Sequence, residues 1–100
     1  MQIKDNGNNG LTITGNIKTV EDSLEIQKAI TTHLNKGIKN VLLKMHDSFS
    51  MTSTVIGHLM KLVNVDKISV SLVVADDRLY ELLEELCLVQ LFNVRLVVNQ

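Results

Sequence analysis

Cysteine occurs once in this chain of 100 residues, at Cys87, so no disulfide can form within it, a usage that fits a reducing compartment. Aromatic side chains are almost as scarce. Phe49, Tyr80 and Phe92 are the whole set, which leaves little on which nucleic-acid bases could stack. There is no run of basic residues, and a formal net charge of -1 gives no electrostatic case for a nucleic-acid partner. No apolar run approaches the roughly 18 residues of a membrane span, and no charged-then-apolar leader opens the sequence. A chain of this length holds one core, so the expectation is a single cytoplasmic domain over residues 1–100, with no nucleic acid and no membrane insertion.

What is present alternates between strand and helix patterns. Met1 to Lys4 and Leu11-Thr12-Ile13-Thr14 flank Asp5-Asn6-Gly7-Asn8-Asn9-Gly10, a segment made of turn formers, and the pair reads as a β-hairpin. The glycine spacing matches neither phosphate-binding fingerprint. Thr19, three residues before Asp22, starts a helix to about Lys36 whose apolar stripe is Val20, Leu24, Ile26, Ile30 and Leu34, and Gly37 stops it. A strand over Asn40 to Met45 follows, and another over Lys67 to Val74. Asp76 and Asp77 then cap a helix with a buried stripe of Leu79, Leu82, Leu83 and Leu86, which Cys87 borders as a packed thiol. The last strand runs from Phe92 to Val98. Polar residues at alternate strand positions (Thr12, Thr14, Lys44, Ser69, Ser71, Arg95) predict an α/β mixed sheet of four to five strands with helices packed on one face only.

The chain is organised around Met51 to Leu62, where three hydroxyl residues, Thr52, Ser53 and Thr54, open the helix joining the two central strands. The first N–H groups of a helix lack partners and the dipole there is positive, so a phosphate carried on one of these hydroxyls is favoured. Helical spacing puts Val55, Ile56, Leu59, Met60, Leu62 and Val63 on one face and Thr54, Gly57, His58 and Lys61 on the other, with Ser53 at the border. Plain helix capping explains the same hydroxyls without any ligand. His46-Asp47-Ser48 does not make a triad, because neighbours on an extended chain point to opposite sides. His33, His46 and His58 show no paired spacing of the kind zinc sites use, so neither a metal nor a cofactor is expected.

The segment from Met51 to Leu62 resembles that of STAS domains, the anti-sigma factor antagonists of bacteria, in which a motif like Asp-Ser-Ser/Thr-Gly-Leu/Ile-Gly opens the helix after the third strand. Ser53 falls on the family's phosphorylated serine, Thr54 on the residue after it, Ile56 on the Leu/Ile and Gly57 on the second glycine. Thr52 stands where the family usually has aspartate, Val55 where it has the first glycine, and Lys44 where many members carry an acid. Gly15-Asn16-Ile17 matches a "Gly-acidic-Ile" loop beside the partner surface, with Asn16 in place of the acid. Leu82 to Phe92 looks like the closing helix and its Leu-x-x-x-Phe approach to the last strand, and the family's terminal helix has no counterpart before Gln100.

The resemblance implies a STAS-like sheet and a non-enzymatic regulator of transcription that works by partner switching. It would dock on an anti-sigma factor that is also a serine protein kinase, and phosphorylation of Ser53 would end the binding, with Thr54 and Thr52 as lesser candidates. The partner-binding set is then Thr52, Ser53, Thr54, Gly57, His58, Lys61 and Asn16. The alternative is a divergent, unphosphorylated STAS scaffold subunit of a signalling or transport assembly, using the same helix as a permanent contact.

Overall fold

In the computed structural model the described residues are 1–6 and 10–97. They form β1 (Gln2–Asp5), β2 (Leu11–Thr14), α1 (Val20–Leu34), β3 (Asn40–His46), α2 (Ser53–Asn64), β4 (Ser69–Val74), α3 (Asp77–Glu85) and β5 (Val94–Leu96). The strands make one mixed sheet in the order β1-β2-β3-β4-β5, antiparallel between β1 and β2 and parallel from there on. The expected hairpin strands pair from Gln2↔Thr14 to Asp5↔Leu11. The turn expected at Gly7, Asn8 and Asn9 lies outside the described residues, as does Val98 at the end of the last predicted strand.

Each crossover from β2 to β5 steps one strand in the same direction. Such crossovers are right-handed as a rule, so all three helices cover one face. Burial agrees: Leu11 and Ile13, then Val41, Leu43 and Met45, then Val70, Leu72 and Val74 are buried, and the residues between them are not. These side chains meet Ile26 and Ile30 of α1, Val55, Leu59 and Leu62 of α2, and Leu79 and Leu83 of α3 in one apolar core. Gly10 enters β2 at φ +93°, and a Cβ there would collide with the Leu42 carbonyl oxygen. Only glycine fits that approach.

Several sequence expectations need correction. In α1 the buried residues are Ser23, Ile26, Ile30 and His33, whereas Val20 and Leu24 are 69% and 50% exposed. The helix is seated on a different stripe from the one its apolar residues outline, with Ser23 facing inward, where its hydroxyl meets Thr52 just before α2. In α2, Val55, Leu59 and Leu62 are buried while Met60 lies at the surface. In α3, Leu82 is half-buried, Leu86 is exposed and Cys87 is not packed but exposed. Cys87 takes φ +60° just past the helix, its N–H donates to the Glu84 carbonyl (3.0 Å), and the Leu88 N–H donates to the Leu83 carbonyl (2.8 Å). This is a Schellman turn with cysteine at the position glycine usually fills, which swings the thiol outward. The predicted strand from Lys67 begins only at Ser69, since Lys67 has φ +55°. β5 holds only Val94–Leu96, and Phe92 is fully buried in the turn before it.

Candidate functional site

Parallel strands place three helix starts at one end of the sheet, the end at which open α/β folds bind their ligands. Each start is closed by its own cap. Thr19 and Asp22 form a capping box on α1, the Thr52 hydroxyl accepts from the Val55 N–H (3.3 Å) on α2, and the Asp76 carboxylate accepts from the Arg78 N–H (2.8 Å) on α3. Asp22 is held below the usual carboxylate range chiefly by the backbone N–H of Lys18, and Asp76 chiefly by the Arg78 side chain.

The three starts are tied to one another. The Gly15 N–H donates to the His46 carbonyl (2.8 Å), the buried Ser48 hydroxyl donates to the Gly15 carbonyl (2.6 Å), and the Asn16 side-chain oxygen accepts from the Phe49 N–H (3.0 Å). The Phe49 ring in turn lies 4.7 Å under the Arg78 guanidinium, which grips Asp76 through two hydrogen bonds of 3.0 and 2.7 Å. Ser23 of α1 meets Thr52 hydroxyl to hydroxyl at 3.0 Å. The loops before α1, α2 and α3 therefore form one braced platform.

Among the hydroxyls, Ser53 and Thr54 are exposed, whereas Thr52 is half-buried and occupied by its two hydrogen bonds. Thr52, one of the expected partner-binding hydroxyls, holds the junction of α1 and α2. Ser53 makes no side-chain hydrogen bond among the described residues. Gly57, one turn further on, is exposed, and a Cβ there would meet nothing within 4 Å, so tight helix packing does not account for this glycine. Lys61 is exposed in the last turn. His58 is half-buried with its Nε2 enclosed and unpartnered, and burial, reinforced by Lys61 and opposed by Asp66, lowers its pKa from the ordinary 6.5. Asn16 is half-buried, and its side-chain oxygen braces the loop before α2 by accepting from the Phe49 N–H.

Sequence reasoning missed Val20, Leu24, Phe49 and Arg78. Val20 opens α1 one turn before Ser23, the residue that meets Thr52, and Leu24 lies one turn further along the exposed side of α1. Phe49 is 43% exposed on the same end. Nothing in the pattern around Phe49 announces its stacking on a residue of α3. His46, Asp47 and Ser48 do not converge, since Ser48 is buried on backbone carbonyls while His46 and Asp47 are exposed. No group of three or more metal-ligating side chains occurs among the described residues.

The architecture thus defines an α/β domain with a braced, partly apolar platform at one end and no helix among the described residues long and apolar enough to cross a membrane. Searches against protein-family models, curated proteins and solved structures return no match to this chain.

Proposed function

We propose that this chain is a non-enzymatic regulatory module, similar to the anti-sigma factor antagonists among STAS domains, which docks on an anti-sigma factor/serine kinase through the start of α2 and is switched by phosphorylation of Ser53. The observation that carries this reading is the setting of Ser53. Its hydroxyl is exposed and uncommitted at the first residue of α2, and the exposed apolar side chains of Val20, the first residue of α1, and of Phe49, in the loop before α2, lie at the same end, with Leu24 one turn further along α1. The first turn of α2 carries no acid, so a phosphate there brings the first negative charge to that turn.

A phosphate adds about -1.5 to -2 charges at neutral pH. At a helix start this is well tolerated by the domain itself, because the unpaired N–H groups and the dipole favour it. For a partner covering Val20, Leu24 and Phe49, the same group imposes a desolvation cost and repels any acid it faces. The switch is therefore hard on the interface and mild on the fold. Gly57 extends the contact, since it leaves bare helix backbone one turn from Ser53.

A second reading, a scaffold subunit with a permanent contact, is favoured by how apolar the rim is: Val20 and Leu24 offer the same surface whatever is attached to Ser53. One experiment separates the two. Immobilised wild-type, Ser53→Ala and Ser53→Asp chains are tested against purified anti-sigma factor kinases and sigma-factor regulators. Binding by wild type and Ser53→Ala but not by Ser53→Asp supports the switch, equal binding by all three supports the scaffold, and absence of binding by all three rejects both.

A further inference from the structure

The sheet face turned away from the helices has an uneven charge. Among the described residues, no outward strand position holds an aspartate or glutamate, yet three hold cations. Lys4, Thr12, Lys44, Val73 and Arg95 are register partners in one row across all five strands. Adjacent strands are spaced by about 4.8 Å, so Lys4, Lys44 and Arg95 follow one another at intervals of about 10 Å. The ion pairs among the described residues are Lys36 with Asp5 and Arg78 with Asp76, so the three cations of the row are unpaired. Beside the row, Leu42, Ser71, Val73, Asn93 and Arg95 line a shallow hollow of about 290 Å³.

The complementary feature is on the other side of the molecule. Leu79 and Leu83 bury one face of α3, and its opposite stripe is Asp77, Glu81 and Glu84, all exposed and without a cationic partner among the described residues. At a rise of about 1.5 Å per residue, Asp77 and Glu84 lie about 10.5 Å apart along the helix. The whole acidic stripe, with Glu81 between its ends, thus spans one interval of the cation row, the distance between two neighbouring cations.

We propose that α3 of one copy of this chain docks across the open sheet face of a second copy, its Asp77, Glu81 and Glu84 stripe set on the Lys44 and Arg95 part of the row. The two surfaces lie on opposite sides, so the contact is head to tail and each added copy presents a fresh surface of each kind. Nucleic acid is the poorer occupant, because no aromatic side chain stands at an outward position of β1 to β5 to stack a base. The contact is built on exposed charge, so it is weak, and salt screens it.

Sedimentation velocity on the full chain, from micromolar to millimolar concentration and at low and high salt, tests this together with paired substitutions. One variant carries Lys44→Gln and Arg95→Gln; the other carries Glu81→Gln and Glu84→Gln. Wild type forms open-ended oligomers at low salt that dissociate at high salt. Each variant alone weakens association about tenfold, as expected for the loss of two exposed pairs. An equimolar mixture of the two variants forms 1:1 pairs and nothing larger, because only the intact sheet face of one fits the intact helix of the other. If Lys44→Gln impairs folding by circular dichroism, Arg95→Gln alone probes the same contact. A wild type that stays monomeric at low salt overturns the proposal. So does association that survives both sets of substitutions, or a mixture that yields no 1:1 species.

Discussion

Thr52 and Ser53 are adjacent hydroxyls with opposite duties, and the difference is measurable. Replacing Thr52 by valine keeps the side-chain bulk but removes the oxygen that accepts from the Val55 N–H at 3.3 Å and meets the Ser23 hydroxyl at 3.0 Å. Loss of the cap costs about 1 kcal/mol. Loss of the bond to Ser23 costs about 1 kcal/mol more, because Ser23 is buried and keeps only its long bond of 3.3 Å to the Thr19 carbonyl. The sum of about 2 kcal/mol lowers the melting temperature by on the order of 10 °C for a domain of this size. Ser53→Ala, at an exposed and uncommitted position, stays within about 0.5 kcal/mol of wild type. Urea denaturation of the two single variants and of a Ser23→Ala, Thr52→Val cycle supplies the numbers, and the cycle should return a coupling of about 1 kcal/mol. Equal losses for Thr52→Val and Ser53→Ala, or a coupling near zero, would refute the division of labour between capping and signalling.

Ser53→Asp places a carboxylate at the positive end of α2, where no acid stands, and should raise stability by about 0.3–1 kcal/mol in low-salt urea titrations even where it abolishes partner binding. His58 gives a pH dependence of known sign. Its folded pKa lies below 6.5, so the unfolded chain takes up that proton first, and stability is complete above 6.5 and falls as pH drops from there toward the lowered folded value. Urea midpoints on either side of this window should differ more for wild type than for His58→Gln. Cys87→Gly relieves a side chain held at φ +60° at the end of α3 and should stabilise by about 0.5–1 kcal/mol, read as a higher melting temperature. Gly10→Ala drives a methyl group into the Leu42 carbonyl and should cost more than about 3 kcal/mol, leaving little folded protein by circular dichroism.

The alternation of strands and helices was legible because its signals are local. Thr19 with Asp22, Gly37 at φ +85° and the two-residue alternation of β3 and β4 each depend on neighbours a few positions away. The seating of α1 was not legible. Ser23, and not Val20 or Leu24, faces inward beside Ile26 and Ile30, and its hydroxyl meets Thr52, 29 positions later, a contact that local spacing does not encode. The exposure of Cys87 was hidden for a related reason, since a left-handed residue at a helix end reverses the direction that helical spacing predicts. At the candidate site, sequence spacing located Ser53, Thr54, Gly57 and Lys61 at the surface, but not the bracing of Asn16 by Phe49 or of Phe49 by Arg78. Those contacts join residues from two loops and the first turn of α3, and nothing in the order of the chain brings them together.

The strand order has one more consequence, for synthesis. Because β3, β4 and β5 are each laid down beside the strand that immediately precedes them, no later segment has to wedge between two that are already hydrogen-bonded. A nascent chain leaving the ribosome can zip up from its hairpin outward, each new strand finding its neighbour in place, so little apolar surface waits uncovered for sequence yet to be translated.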